Sequence, residues 1–184
     1  MMSKADLRRS ICTQLAGIGD IRSEWSREIC RWLVAEETWK SASTIALFAP
    51  QLREPDIELL WSHGKGKEFC FPRVVGTELE FRAVEDPKAL VTGRWELREP
   101  DPETSLPVAL EEIDLLLVPG VAFTRSGRRL GRGGGFYDRL LADPELCAVS
   151  FGICFALQVV DNLPTEPHDR PVDRIVTERG PASS

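Results

Sequence analysis

The sequence predicts an α/β protein built on one layered, mostly parallel sheet. Short apolar runs at 44–49, 67–71, 115–118, 149–155 and 174–177 alternate with segments of helical periodicity, the order that lays helices on a parallel sheet. At 184 residues, 42% hydrophobic and 28% charged, the chain suits one sizeable core, so 1–184 reads as a single domain. No stretch reaches eighteen consecutive apolar residues, and the charged start MMSKADLRRSIC has no apolar run behind it. No membrane association is therefore expected, and a cytoplasmic protein is.

Taken in order, Ser3 and Asp6 form a capping pair ahead of Leu7, Ile11 and Leu15, which predicts a first helix over 4–16. Lys4 and Arg8 share one face of it, either simply solvated or with an anion between them. Trp25, Ile29, Trp32 and Leu33 give a second helix over 23–37, with its tryptophans in the core. A buried strand follows at 44–49. Pro55 then suits the first position of a helix ending at Gly64, which leaves Glu54 in the turn, as a ligand contact or as an acid at a helix start.

Strands are expected at 67–71 and 79–84, then a short helix and turn over 85–93. Residues 94–107, RWELREPDPETSLP, read as an irregular loop whose Trp95 is either tucked into the core or offered to a flat ligand. After the strands at 115–118 and 149–155, Gln158 opens a short helix; a last strand covers 174–177, and the tail over 179–184 frays. The five cysteines include no C-x-x-C pair, so free thiols are expected rather than disulfides. With only two histidines, no cysteine–histidine metal cluster can form.

The distinctive stretch is LLLVPGVAFTRSGRRLGRGGGFYDRLLA, from Leu115 to Ala142. Gly131, Gly133, Gly134 and Gly135 let backbone N–H groups approach a ligand, and a helix over 136–142 turns its positive end the same way. Five arginines crowd this segment in a chain of net charge −6. Nucleic acid is not an expected partner of so acidic a protein, whereas a small anionic ligand is. The spacing excludes three familiar loops. No Gly-Lys precedes Ser or Thr, Phe136 stands where a dinucleotide fingerprint needs Gly, and Thr124 precedes Ser126 where a nucleophile elbow needs Gly.

PGVAF followed by GRRLGRGGGFYDRLL resembles the signature of the 5-formyltetrahydrofolate cyclo-ligase family. KADLR at the N-terminus, Glu54, FPR at 71–73, Trp95 ahead of Glu99-Pro100, Gln158 and His168-Asp169 fall in the family's order. The resemblance implies a three-layer α/β/α, Rossmann-like fold of the NagB/RpiA/CoA-transferase type. It also implies ATP- and Mg2+-dependent closure of 5-formyltetrahydrofolate to 5,10-methenyltetrahydrofolate, by a monomer acting on small molecules.

Carried over by position, ATP would meet Lys4, Arg8, Arg129, Leu130, Gly131, Arg132, Gly133, Gly134, Gly135, Phe136 and Tyr137, with Lys4 and Arg132 catalytic. Folate would meet Glu54, Trp95 and the loop from Arg132 to Phe136, and Asp138 and Asp169 would hold the metal. Two positions depart from the family pattern: Thr124 replaces Asp, and Phe136 replaces the first Tyr of a Tyr-Tyr-Asp run. Two other readings stay open, a folate- or nucleotide-binding protein without catalysis and a phosphosugar isomerase-like relative.

Overall fold

The structure, a computed structural model, describes residues 2–182. Helix α1 (Lys4–Ala16) starts where the Ser3 hydroxyl accepts the Asp6 N–H at 3.1 Å and donates to the Asp6 carboxylate at 2.6 Å. Its Ile11 and Leu15 are buried, as their spacing requires. Helix α2 spans Ile21–Ala35 and stops earlier than predicted, because Glu36 is extended and pairs with Arg174; α3 (Glu37–Ser41) then restarts.

Twelve strands follow: β1 (Thr44–Ala46), β2 (Glu68–Val75), β3 (Glu78–Ala83), β4 (Val91–Thr92), β5 (Arg98–Glu99), β6 (Pro107–Val108), β7 (Leu115–Pro119), β8 (Ala122–Phe123), β9 (Arg129–Leu130), β10 (Val149–Ile153), β11 (Arg174–Thr177) and β12 (Gly180–Ala182). One short helix, α4 (Phe136–Leu140), precedes β10. The main sheet runs β12-β11-β10-β7-β1-β2-β3-β6. Its five central strands, β11-β10-β7-β1-β2, are parallel; β12 pairs antiparallel with β11 at one edge, and at the other β3 pairs antiparallel with β2 and β6 antiparallel with β3.

Alternation along β7 sorts the core into two faces. Leu115 and Leu117 join Ile11, Ile29, Leu33 and Phe151 beneath α1 and α2. Leu116 and Val118 join Phe81, Phe123, Leu140 and Ile175 on the opposite face, where the cover is α4, the β8–β9 hairpin and short turns. The second helical layer is thus thin.

Several local expectations are corrected. The strand predicted to Ala49 ends at Ala46; Leu47 stays in the core, and Phe48 and Ala49 continue as a wall of the site. Pro55 starts no α-helix; a 3-10 helix spans Glu58–His63 instead, ended by Gly64. The segment over 94–107 carries β5, paired with β4, and the start of β6. Gln158 closes rather than opens its 3-10 turn, Ala156–Gln158.

The tail is no fray over 180–182. β12 pairs with β11, and Gly180, at φ 103°, lies against the Trp32 ring. Ser183 and Ser184 lie outside the described residues. Among the described residues no helix is long and apolar enough to cross a membrane. All five cysteines are free, with Cys30, Cys70 and Cys154 buried.

Candidate active site

Strand order sets where a ligand belongs. β1 and β7 are neighbours, and the chain steps from β1 to β2 on one side and from β7 towards β10 on the other, so a crevice opens beyond the carboxyl ends of β1 and β7. A cavity of about 490 Å³ fills that place, bordered by Phe48 and Glu54 after β1, Pro119 and Gly120 at the end of β7, and the glycine loop.

Glu54 and Arg132 meet there across 78 positions of sequence. Arg132 Nη2 and Nε donate to Glu54 Oε1 at 2.7 and 3.2 Å, while Oε2 accepts the Gln51 N–H at 2.9 Å. Glu54 is 6% exposed, and half of the Arg132 side chain remains open to the cleft. The carboxylate therefore aims the guanidinium while leaving donors free.

Arg129 is the buried counterpart. Its Nη2 donates to Asp138 Oδ1 at 2.9 Å and its guanidinium lies 5.6 Å from the centroid of the Tyr137 ring, yet its Nε has no partner among the described residues. An unpaired buried donor costs about 1–3 kcal/mol, so Arg129, which borders the cavity, carries an unmet demand for an acceptor. Burial, with Glu54 nearby, raises the Tyr137 hydroxyl well above its ordinary pKa and keeps it neutral.

The loop needs its glycines. Gly133 (φ 110°) and Gly135 (φ 68°) adopt left-handed backbone, and a Cβ on Gly134 would overlap the Phe136 ring. The following helix is shorter than predicted, five residues rather than seven, so positive charge here comes chiefly from arginine and little from a helix dipole. Arg8 reaches the loop from α1, donating from Nε to Gly131 O at 2.8 Å.

Lys4, one turn away, points instead to the tail, 2.7 Å from Glu166 Oε2 and 2.9 Å from Asp169 Oδ2. The two cations thus share a helix face but not a partner. Partial burial opposes charge on Lys4, but its hydrogen bonds to Glu166 and Asp169 outweigh that and raise its pKa. Burial likewise opposes charge on Asp169, and the Lys4 and Glu166 N–H bonds outweigh it and lower the pKa.

Trp95 is not tucked into the core. It is 58% exposed at the cavity mouth, its ring edge-on to Phe136 at 5.7 Å, with the Arg94 guanidinium 4.2 Å above it. Both Trp95 (φ 56°) and Glu96 (φ 60°) hold left-handed backbone, a strained arrangement of the kind retained at ligand sites.

The two departures find local partners. The Thr124 hydroxyl accepts the Arg128 N–H at 3.2 Å and lies 2.9 Å from Ser126 Oγ, so threonine holds the turn. Phe136 keeps its ring against Trp95, with Arg139 over its face at 5.1 Å. Gln158 fixes the floor, donating to Gly120 O at 2.9 Å and Val121 O at 3.1 Å.

Of the residues singled out in the sequence, Glu54, Trp95, Arg129, Gly131, Arg132, Gly134, Gly135, Phe136, Tyr137 and Asp138 line the cavity. Lys4, Arg8, Gly133 and Asp169 stand outside its lining, and the Leu130 side chain belongs to the core. Two carboxylates are placed as a hard cation would need them only in part. Asp138 Oδ1 is held by Arg129 and, at 3.4 Å, the Arg170 N–H, which brings it next to Asp169 in the chain. Asp169 also groups with Glu166 and His168, one ligand atom of each lying within 4.8 Å of the others.

Sequence reasoning missed Glu99, a cavity carboxylate that is 6% exposed. Its neighbours in WELREPDPE are polar, so no pattern marked it as buried.

A parallel α/β sheet with an arginine-lined crevice at its strand-order reversal defines a class of ligand-binding α/β enzymes. The model of the 5-formyltetrahydrofolate cyclo-ligase family matches residues 1–178. A 5-formyltetrahydrofolate cyclo-ligase from Mycolicibacterium smegmatis is 39% identical over 93 residues, 50% of this chain and 48% of that protein. A probable one from Schizosaccharomyces pombe is 27% identical over 96% of this chain and 95% of its own length. The solved structure of 5,10-methenyltetrahydrofolate synthetase from Aquifex aeolicus superposes with a TM-score of 0.87 at 32% identity, covering 99% of this chain and 93% of that one. The chain belongs to the 5-formyltetrahydrofolate cyclo-ligase family.

Proposed function

We propose that the protein closes 5-formyltetrahydrofolate to 5,10-methenyltetrahydrofolate at the expense of ATP, releasing ADP and phosphate. The observation that carries this reading is the composition of the cavity. Arginines with free donors, Arg129 and Arg132, face aromatic and apolar walls made by Trp95, Phe136, Val74 and Leu79, and among the described residues no Ser, Cys, His or Lys lines it. Such a site offers no serine, thiol or imidazole, and its carboxylates Glu54 and Asp138 are already engaged by arginines. It suits a reaction driven by positioning and charge neutralisation.

The chemistry needs just that. A formamide carbon is a weak electrophile and its oxygen a poor leaving group, so N10 of the folate cannot close the ring unaided. Transfer of the γ-phosphoryl group from ATP to the formyl oxygen turns that oxygen into phosphate. N10 then attacks the formyl carbon and gives up its proton to the departing phosphate as the C–O bond breaks. Arg132, aimed by Glu54, stands to neutralise the transferring oxygens, and Arg129 Nε offers a desolvated donor beside it. Arg8 and the glycines set the loop that would follow the phosphate chain, and Lys4 steadies the tail against α1. Trp95 and Phe136 present faces for the pterin and shelter the activated formyl group from water.

The oxygen-rich pair Asp138 and Asp169 fits a hard cation that keeps waters and binds phosphates. Magnesium held there would neutralise phosphate charge; Asp138 would then divide its oxygens between the ion and Arg129.

The test is near-ultraviolet absorbance of the purified protein with 5-formyltetrahydrofolate, ATP and magnesium, omitting each in turn. Conjugated methenyl product should appear only with all three. Product without ATP, or none with all three present, would reject the reading.

A further inference from the structure

Two buried carboxylates line the cavity, and only one of them is paired with an arginine. Glu54 has both oxygens engaged, one by Arg132 and one by the Gln51 N–H. Glu99 forms no ion pair among the described residues and is held by backbone alone: the Val74 N–H donates to Oε1 at 3.3 Å, and the Arg94 N–H is also turned to the carboxylate. A carboxylate can accept about four hydrogen bonds, so about half of its capacity is open. Burial holds the Glu99 pKa above the ordinary carboxylate value, with the Val74 N–H, the Arg73 charge and the N–H and charge of Arg94 only partly offsetting it. An anion taken out of water and left so poorly matched calls for donors from elsewhere.

The group is also fixed in place. Glu99 lies on β5, which is pinned to β4 through the Val91–Glu99 pairing, and the Gly93 backbone sits so close to its carboxylate that a Cβ there would overlap Oε2. Around it the cavity is flat and apolar, with Val74, Leu79 and Leu97 on the walls and Trp95 at the mouth. A ligand that suits this corner is a planar heterocycle with two adjacent N–H donors on one edge. ATP does not answer that description at its phosphates, and the arginines that suit phosphate lie on another wall.

We infer that Glu99 is the specificity residue for the heterocyclic end of the substrate, accepting the adjacent ring N–H and amino N–H of its 2-amino-4-oxopyrimidine edge in a paired hydrogen bond. The inference rests on the folate reading of the cavity and adds the group that recognises the ring. Glu99 thereby fixes which way the ring enters, and with it the distance from the formyl group to Arg132.

The experiment measures equilibrium binding, by tryptophan fluorescence without ATP, of 5-formyltetrahydrofolate and its 2-desamino analogue to the native protein and to Glu99→Gln. A hydrogen bond to a charged group lost from a dry site weakens binding roughly tenfold to a hundredfold. The native protein should therefore bind the analogue that much more weakly, Glu99→Gln should bind the parent compound comparably weakly, and the two losses should not multiply when combined. ATP affinity should stay within twofold throughout. Equal affinity of the native protein for both compounds overturns the inference even if the variant fails to fold, and so do losses that multiply. Because binding is read without turnover, failure here leaves the ring-closure assay standing, whereas absence of any folate binding removes the reading beneath both.

Discussion

Arg132 hydrogen-bonds through Nε and Nη2 to a single oxygen of Glu54, a carboxylate held 78 residues earlier and almost wholly enclosed. The guanidinium is thus preset before any ligand arrives. Arg132→Ala should lower kcat by about 10²–10³, the loss associated with one preorganised donor. Arg132→Lys should recover little, since an ammonium lacks the planar fork. Product formation rates decide this, and a near-native rate in Arg132→Ala would remove the residue from the chemistry.

Asp138 has a structural duty besides any metal. Its partner Arg129 is 3% exposed and already carries one unpaired N–H, so Asp138→Ala strands a buried cation. Breaking such a pair costs about 3–5 kcal/mol, and thermal denaturation should show a fall of several degrees or more. Asp138→Asn keeps an oxygen for Arg129 and should lose far less stability while still losing turnover. Equal melting temperatures for the native protein and Asp138→Ala would contradict the buried pair.

Docking of the tail on α1 should depend on pH at both ends. Hydrogen bonding from Lys4 lowers the Glu166 pKa below its ordinary 4.5, and Lys4 also outweighs burial to lower Asp169 below 3.8. The carboxylates' contribution is therefore complete above those ordinary values and is lost as pH falls through the lower folded-state values. For Lys4, raised above 10.5 although burial opposes it, the contribution is complete below 10.5 and lost as pH rises through the folded value. Exchange of the Asp169 amide, which donates to Glu166 O at 3.0 Å, should be slow on the plateau between and quicken at either end. In Lys4→Met the plateau should disappear; an unchanged profile would show that Lys4 does not hold the tail.

At Trp95 binding and stability should part company. Left-handed backbone costs a side-chain-bearing residue about 1–2 kcal/mol, and glycine escapes it. Trp95→Gly removes a mostly exposed ring, so the melting temperature should hold or rise. Loss of an aromatic contact worth about 1–2 kcal/mol should raise KM for the folate roughly tenfold. A drop in melting temperature with unchanged KM would make the ring structural.

What could be read from the sequence was what local chemistry decides. Ser3, Asp6 and the Leu7, Ile11, Leu15 spacing place α1 to the residue, and the arginine–glycine segment marks the site. Pairings settled by distant partners were illegible. β4, β5, β8 and β9 are two residues each, too short to show a period, and β12 exists because Gly180 packs on Trp32 and pairs with β11. Each arginine's partner was hidden for the same reason. Nothing beside Arg132 announces Glu54, and nothing in a polar loop announces that Glu99 is enclosed.

The ties from α1 span 123 positions to Gly131 and 165 to Asp169. Loops of that length close slowly, and a chain made from its N-terminus has its first helix long before either partner exists. During synthesis α1 therefore waits, and its cations find their places only after the glycine loop and the tail have left the ribosome. Competence therefore waits for residue 169, and a nascent chain stalled before residue 166 would hold six of the eight main-sheet strands and an unfinished site.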